Sequence, residues 1–254
     1  TGTLVNNTSQ DGTPYFLTAN HCLGTPANWA FRFKWIAPTP DCATTANSPD
    51  MANNTEFQTA NGAVLRASNA GSDFALVEIT NLTLAMAQSW GLYYAGWDHT
   101  GNAVPAAIGI HHPSGDIMKY ARENNALTQV NSGGALCWQV ADWDEGVTEG
   151  GSSGSPLFDQ NHRIIGQLHG GASACGAAVL SDEYGKISYS WTPANSDSTN
   201  QLKYWLDPTQ SNATFVNGYD PSGGVPIQVD PIVSAVGGVS GTFCSAQVTP
   251  TVTI

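Results

Sequence analysis

Charge is scarce in this chain, and positive charge most of all. Of 254 residues only 11% are charged, with 20 Asp and Glu against 8 Lys and Arg, for a formal net charge of -12 at pH 7. Such a surface repels polyanions, which argues against nucleic acid or an anionic membrane as the main partner and weakly favours cationic substrates. Long apolar runs are missing too: no stretch approaches the roughly 20 apolar residues of a membrane-crossing helix, so membrane insertion is not expected. The start carries neither an initiator methionine nor a basic-then-apolar leader, so Thr1 reads as a cut end. Cysteine is sparse and dispersed. Cys22, Cys42, Cys137, Cys175 and Cys244 form no C-x-x-C pair, which argues against structural zinc and suits a disulfide framework. Five is an odd number, so the five cannot all pair with one another.

What the sequence does have is Gly, Ser, Thr and Asn between short apolar segments. "WAFRFKWI", residues 29 to 36, places Trp29, Phe31, Phe33 and Trp35 on one side of a two-residue period and Arg32 and Lys34 on the other, the pattern of a half-buried strand. "YFLTA", "FALVEI", "AAIGI", "ALCWQV", "RIIGQL" and "KISYSW" read as further strands. Many short strands and few helical patterns predict an all-β fold, a sandwich or barrel. One helix is predicted, over 198–208, where Leu202, Trp205 and Leu206 share a face, Ser198 caps and Pro208 terminates. The main domain is read over 1–216. A linker follows over 217–228, within "NGYDPSGGVP" and just beyond, and then the opening strands of a second β domain over 229–254. A tail strand packing back on the main domain is the alternative for that last segment.

"TEGGSSGSPLF", residues 148 to 158, has the composition of a flexible connector. The Pro-Leu-Phe that follows the glycines argues instead for a rigid turn running into a strand. Acyl transfer by serine needs an activated hydroxyl, a base in reach, a carboxylate to orient the base, and donors for the oxyanion. "LTANHC" offers His21 at a strand end, "GSDFALVEI" offers Asp73 before an apolar strand, and "GGSSGSP" offers Ser153 in the turn. Each has an ordinary reading alone: His21 as a polar strand-end residue, Asp73 as an Asx-turn residue. The three in the order His, Asp, Ser favour a triad. His111 and His112, with Asp116 close by, suggest a metal site, but a structural loop is the preferred reading. His99 and His162 are read as surface residues.

"TGTLVNN", "YFLTANHC", "SDFALVEI", "YYAGWD", "IGIHHPSGD", "GVTEGGSSGSPLF", "IGQLHGGASAC", "SDEYGKISYSW" and "LKYWLDP" resemble, in this order, segments of chymotrypsin-fold serine proteases, and more closely of the bacterial lysyl endopeptidases. The resemblance covers about residues 1 to 218. It implies two packed antiparallel β-barrels of the chymotrypsin type with a C-terminal helix. It implies His21, Asp73 and Ser153 as the triad, with the N–H groups of Gly151 and Ser153 as the oxyanion hole. Asp182, in "SDEYG", is implied as the carboxylate that receives a cationic substrate side chain, hence cleavage after Lys. His169, in "QLHGG", resembles a pocket-edge histidine that stacks on a tryptophan in the family; "LTQVNSGGAL" has no tryptophan, and Trp138 is out of register. The family cysteine pairing with the one that Cys22 resembles stands just before the segment resembling Thr1-Gly2-Thr3, and the partners for Cys42 and Cys175 are also placed upstream, so a first segment is expected to be missing. The implied protein is a secreted bacterial monomer acting on proteins or peptides, with no metal or organic cofactor. A glutamyl-specific or broader serine endopeptidase is the first alternative, and an inactive protease-like binding module the second.

Overall fold

Strands occupy most of the alternating segments. The computed structural model describes residues 1–36 and 58–223; Cys42, Cys244 and the segment read as a second domain lie outside the described residues. In the first half the strands are β1 Thr3–Leu4, β2 Tyr15–Ala19, β3 Ala30–Phe33, β4 Gln58–Asn61, β5 Ala63–Asn69 and β6 Phe74–Ile79. In the second they are β7 Trp97–Asp98, β8 Ala107–His111, β9 Lys119–Glu123, β10 Thr128–Ser132, β11 Ala135–Val140, β12 Pro156–Phe158, β13 Ile164–Gly171, β14 Asp182–Lys186 and β15 Phe215–Val216. The helices are α1 Leu84–Ser89, α2 Ile187–Trp191 and α3 Lys203–Leu206.

The first half holds a four-stranded sheet, β1-β2-β6-β5, and a separate pair, β3-β4. The second holds the path β10-β11-β14-β13-β12-β8-β9, with β7 joining β13 and β15 at its side. Described pairings are antiparallel apart from the parallel contact of Ile164 with Trp97 and an isolated parallel bridge from Val5 to Ala95. The chain is therefore all-β, as its alternating pattern predicts. In the aromatic segment Phe31 is buried while Ala30 and Arg32 are exposed, and the strand ends where Lys34 turns to φ +54°.

Apolar side chains join the halves. Leu17, Phe74 and Leu76 from the four-stranded sheet share one buried cluster with Trp97, Ile164, Ile187 and Trp191 from the second half, so removal of apolar surface from water holds the two together. At the same seam Gln167 Nε2 donates to Ser72 O at 2.7 Å. A Cβ on Gly185 would lie 1.8 Å from that carbonyl oxygen and 2.2 Å from Gln167 Nε2. Gly185→Ala is expected to cost about 3 kcal/mol by forced backbone movement, read as a Tm lower by roughly 10 °C in calorimetry. An unchanged Tm would mean that β14 does not abut Ser72 this closely.

Three local expectations are corrected. "KISYSW" reads as a strand, but residues 187–191 form α2. Ile187, Ser190 and Trp191 are its buried residues, a helical spacing, and Ser190 Oγ meets Ser72 Oγ at 2.6 Å. Tertiary packing selects that face over the two-residue pattern. The predicted helix over 198–208 is reduced to α3, with no capping by Ser198. The Asp197 side chain accepts from Thr199 N at 2.7 Å and from its Oγ1 at 2.6 Å, and Asn200 Oδ1 accepts from Asp197 N at 2.8 Å. Those local bonds offer the backbone a turn in place of a helix start. His99 is half-buried rather than superficial: its ring stacks on Trp191 at 4.1 Å and 12°. Residues 217–221, the start of the segment read as a linker, run against the main body, with Tyr219 and Tyr94 exchanging backbone bonds at 2.8 and 2.9 Å.

Candidate active site

The site is built where β2 and β6 end. β2 delivers a short turn, Asn20–Cys22, and the tight turn before β6 delivers Asp73. Asp73 adopts φ +56°, the left-handed region that Asp tolerates better than most side chains. Its backbone is fixed there by Asp73 N donating to Ala70 O at 3.2 Å and by Asn20 N donating to Asp73 O at 2.7 Å. That second bond ties the two turns together, so the side chains of His21 and Asp73 meet.

Asp73 is 4% exposed and its carboxylate accepts three hydrogen bonds. Oδ1 takes the backbone N–H of His21 at 2.9 Å, while Oδ2 lies 2.6 Å from His21 Nδ1 and 2.7 Å from His169 Nδ1. Engagement of His21 Nδ1 leaves its other ring nitrogen for proton transfer. The rings of His21 and His169 meet edge-on, centroids 6.1 Å apart. Ligand atoms of His21, Asp73 and His169 all fall within 4.8 Å of one another, a cluster compact enough to suggest a cation. The hydrogen bonds from both Nδ1 atoms to one carboxylate oxygen account for it without an ion.

Ser153 stands in the turn that follows Glu149. The turn is closed by Ser152 N donating to Glu149 O at 2.9 Å and by Ser155 N donating to Ser152 O at 3.0 Å. Gly151 has φ +92° and Gly154 φ +80°, angles that glycine adopts without penalty. A Cβ on Gly154 would sit 2.2 Å from Thr18 Oγ1 and 2.7 Å from Ala19 N; glycine there lets the turn press on the end of β2, beside His21. Ser153 is half-buried and its hydroxyl lies against the Cys22 thiol. Burial pushes that thiol's pKa up, and the Ser153 hydroxyl beside it acts in the opposite direction. Among the described residues Ser153 Oγ makes no hydrogen bond to His21, and no acceptor takes the N–H of Gly151 or Ser153. A groove of about 900 Å³, lined in part by Thr18, Cys22, Trp29, Phe31, Phe33 and Gly151, reaches this turn. A smaller cavity of about 110 Å³ at Asp98, Trp138 and Ser188 contains none of these groups.

Asp182 opens β14 and is 1% exposed. Its Oδ2 accepts from Trp143 Nε1 at 2.6 Å and from Thr148 Oγ1 at 2.8 Å. A Cβ on Gly171 would lie 2.2 Å from its Oδ1, so glycine in β13 makes room for the carboxylate. Burial drives its pKa up to about 7, partly offset by the hydrogen bonds from Trp143 and Thr148.

His21, Asp73 and His169 thus come together, Ser153 stands beside them in its turn, and Asp182 is separately buried with its own donors. The resemblance pairs His169 with a tryptophan; here its ring neighbour is His21, while Trp138 lies under the Lys186 ammonium at 4.0 Å. Sequence reading did not find Trp143 or Thr148, which no local signal connects to Asp182. Nor did it find Ser152, whose hydroxyl is bonded to His111 Nδ1 at 2.8 Å. Cys22 and Cys137 are free thiols, and Cys175 is disulfide-bonded.

An antiparallel all-β chain with a histidine on a buried aspartate and a glycine-framed serine turn is of the serine protease class. Its residues 1–185 match the model of the lysyl endopeptidase C-terminal domain, and the chain belongs to that family. It is 34% identical over 187 residues to a lysyl endopeptidase of Pseudomonas aeruginosa, an alignment covering 70% of this chain and 38% of that protein. The chain therefore spans well under half the length of that relative. Among solved structures it is similar to a thermostable serine protease from an extremophilic microorganism, with 16% identity, a TM-score of 0.46 and coverage of 73% of this chain and 82% of the other. A Glu endopeptidase gives 15%, 0.42, 74% and 80% for the same quantities.

Proposed function

We propose that this chain is a secreted bacterial serine endopeptidase that cleaves after Lys. The observation that carries the specificity is Asp182, a buried carboxylate on β14 with one oxygen held by Trp143 and Thr148. A buried ammonium needs such a partner, because leaving it unpaired costs several kcal/mol. In the proposed reaction His21 takes the Ser153 proton as Oγ attacks the peptide carbonyl. Asp73 holds His21 through Nδ1 and stabilises its charged form. The Gly151 and Ser153 N–H groups receive the oxyanion, His21 protonates the leaving amine, and water then hydrolyses the acyl-enzyme. His169, bonded to Asp73 rather than to a tryptophan, helps fix the carboxylate.

The catalytic unit is the domain over 1–216, acting as a monomer on proteins or peptides. Secretion fits its cysteine usage and weakly charged surface, and no helix among the described residues is long and apolar enough to cross a membrane. A glutamyl specificity is disfavoured because a second carboxylate would meet Asp182. The test is hydrolysis of chromogenic peptides ending in Lys, Arg and Glu, with Ser153→Ala as control. Turnover of the Lys peptide, lost in the variant, is expected. Preferential Glu cleavage would remove Asp182 from the pocket, and no turnover with no fluorophosphonate labelling would favour a binding module.

A further inference from the structure

The "HHPSGD" loop has no role in the scheme above, yet it is built against the nucleophile's turn. His111, the last residue of β8, is 0% exposed, as is Ser152. Their side chains meet at 2.8 Å, His111 Nδ1 to Ser152 Oγ. Ser152 Oγ also accepts from Glu149 N at 3.2 Å, so one buried hydroxyl ties the start of the turn to β8. The same loop touches the turn through its backbone. Ser114 N donates to Gly150 O at 2.6 Å, and a Cβ on Gly151 would lie 3.1 Å from Ser114 N and 3.3 Å from His112 O. Ser114 holds φ +53°, a left-handed conformation that costs free energy in a non-glycine residue and persists where the surroundings enforce it.

We propose that His111 and Ser152 are positioning residues, whose hydrogen bond anchors the turn and so holds Ser153 Oγ and the Gly151 and Ser153 N–H groups at the reacting carbonyl. This rests on the peptidase reading of the site. Ser152 stands between the two proposed oxyanion donors, so a shift of Ser152 turns the Ser153 N–H directly and disturbs the Gly151 N–H through the residue before it. The tautomer follows from donor counting. With Glu149 N–H already given to Ser152 Oγ, the hydroxyl proton goes to His111 Nδ1 and the ring proton sits on Nε2, which has no partner among the described residues. The opposite tautomer would leave the hydroxyl proton without an acceptor as well. Burial, with His112 and then Lys119 nearby, pushes His111 down to about 3, so the ring is neutral near neutral pH.

The test compares Ser152→Ala, His111→Leu, their double variant and His111→Asn, which keeps a polar atom near the Nδ1 position. Ser152→Ala and His111→Leu are expected to lower kcat by roughly tenfold to hundredfold, the scale of a misplaced catalytic group, with KM for a Lys peptide unchanged. The double variant should be no worse than the singles, and His111→Asn should recover most of the loss. Amide exchange at Ser152 and Ser155, whose N–H groups close the turn, should quicken in Ser152→Ala, a readout independent of turnover. Nitrogen NMR of His111 should show its proton on Nε2 in the unmodified chain. Wild-type turnover is measured first: its absence overturns the peptidase reading and the kinetic consequence with it. Unaltered exchange and kcat in Ser152→Ala overturn the positioning role alone, even if His111→Leu fails to fold.

Discussion

Ser153→Ala is expected to lower kcat for a Lys peptide by on the order of 10⁴ to 10⁶, the usual effect of deleting the nucleophile of a triad. The loss should be chemical rather than structural. The turn is closed by backbone bonds around Ser152 and Ser155 and by glycines at 151 and 154, none of which needs the Ser153 hydroxyl. The variant's Tm should stay within a few degrees of the parent, since the oxygen removed is half-buried and the contact it gives up is a weak one to the Cys22 thiol. Whatever residual catalysis survives would come from substrate binding and the N–H groups of residues 151 and 153. Steady-state kinetics and fluorophosphonate labelling, read beside calorimetry, check this. A variant that keeps a tenth of the activity would show that another group carries the chemistry.

Asp182→Asn should move activity and stability in opposite directions. The amide is nearly isosteric, and its oxygen can still accept from Trp143 and Thr148, but a substrate ammonium entering the pocket loses its counter-charge. Unpaired burial of that charge costs about 3 to 5 kcal/mol, so kcat/KM for Lys peptides should fall roughly 10²- to 10³-fold or more, with little change for peptides having uncharged residues there. The stability effect has the other sign. In the unfolded chain Asp182 titrates near the ordinary value of about 4; in the fold burial raises it to about 7. Between those values the folded chain binds a proton that the unfolded chain has released. The stability present below about pH 4 therefore falls as pH rises through about 7, by about 4 kcal/mol when complete. Asp182→Asn should remove this dependence and unfold at higher temperature than the parent above pH 7. A Lys-terminated peptide should raise the parent's Tm more at pH 8 than at pH 5, because it pairs with the ionised form. A Tm of Asp182→Asn that tracks the parent at every pH would show that Asp182 is not the buried titrating carboxylate.

Much of the strand content could be read directly. "YFLTA", "FALVEI" and "ALCWQV" became β2, β6 and β11 at their quoted bounds, because an alternating or fully apolar segment of five or six residues between turn formers has few other ways to bury itself. The helices were read less well: only α3, inside the span 198–208, falls where a helix is expected. Ile187 to Trp191 carries both a two-residue and a helical pattern, and the partners that choose between them, Ser72 above all, stand more than a hundred positions away. The predicted cap at Ser198 failed because Asp197 and Asn200 had stronger local bonds to make.

The site divides in the same way. The sequence by itself determined the residue types: a histidine at a strand end, an aspartate before an apolar strand, serines among glycines, an aspartate opening "DEYG", and too few positive charges to recommend a polyanion as partner. Those follow from composition and short-range pattern, which the chain carries in any conformation. Only the tertiary structure decided that Asp73 serves His21 and His169 through one oxygen, that Asp182 is held by Trp143 and Thr148, and that His111 meets Ser152. Each of those contacts joins residues brought together by sheet pairing across dozens of positions, and hydrogen-bond geometry and loss of water are properties of that juxtaposition rather than of any segment alone.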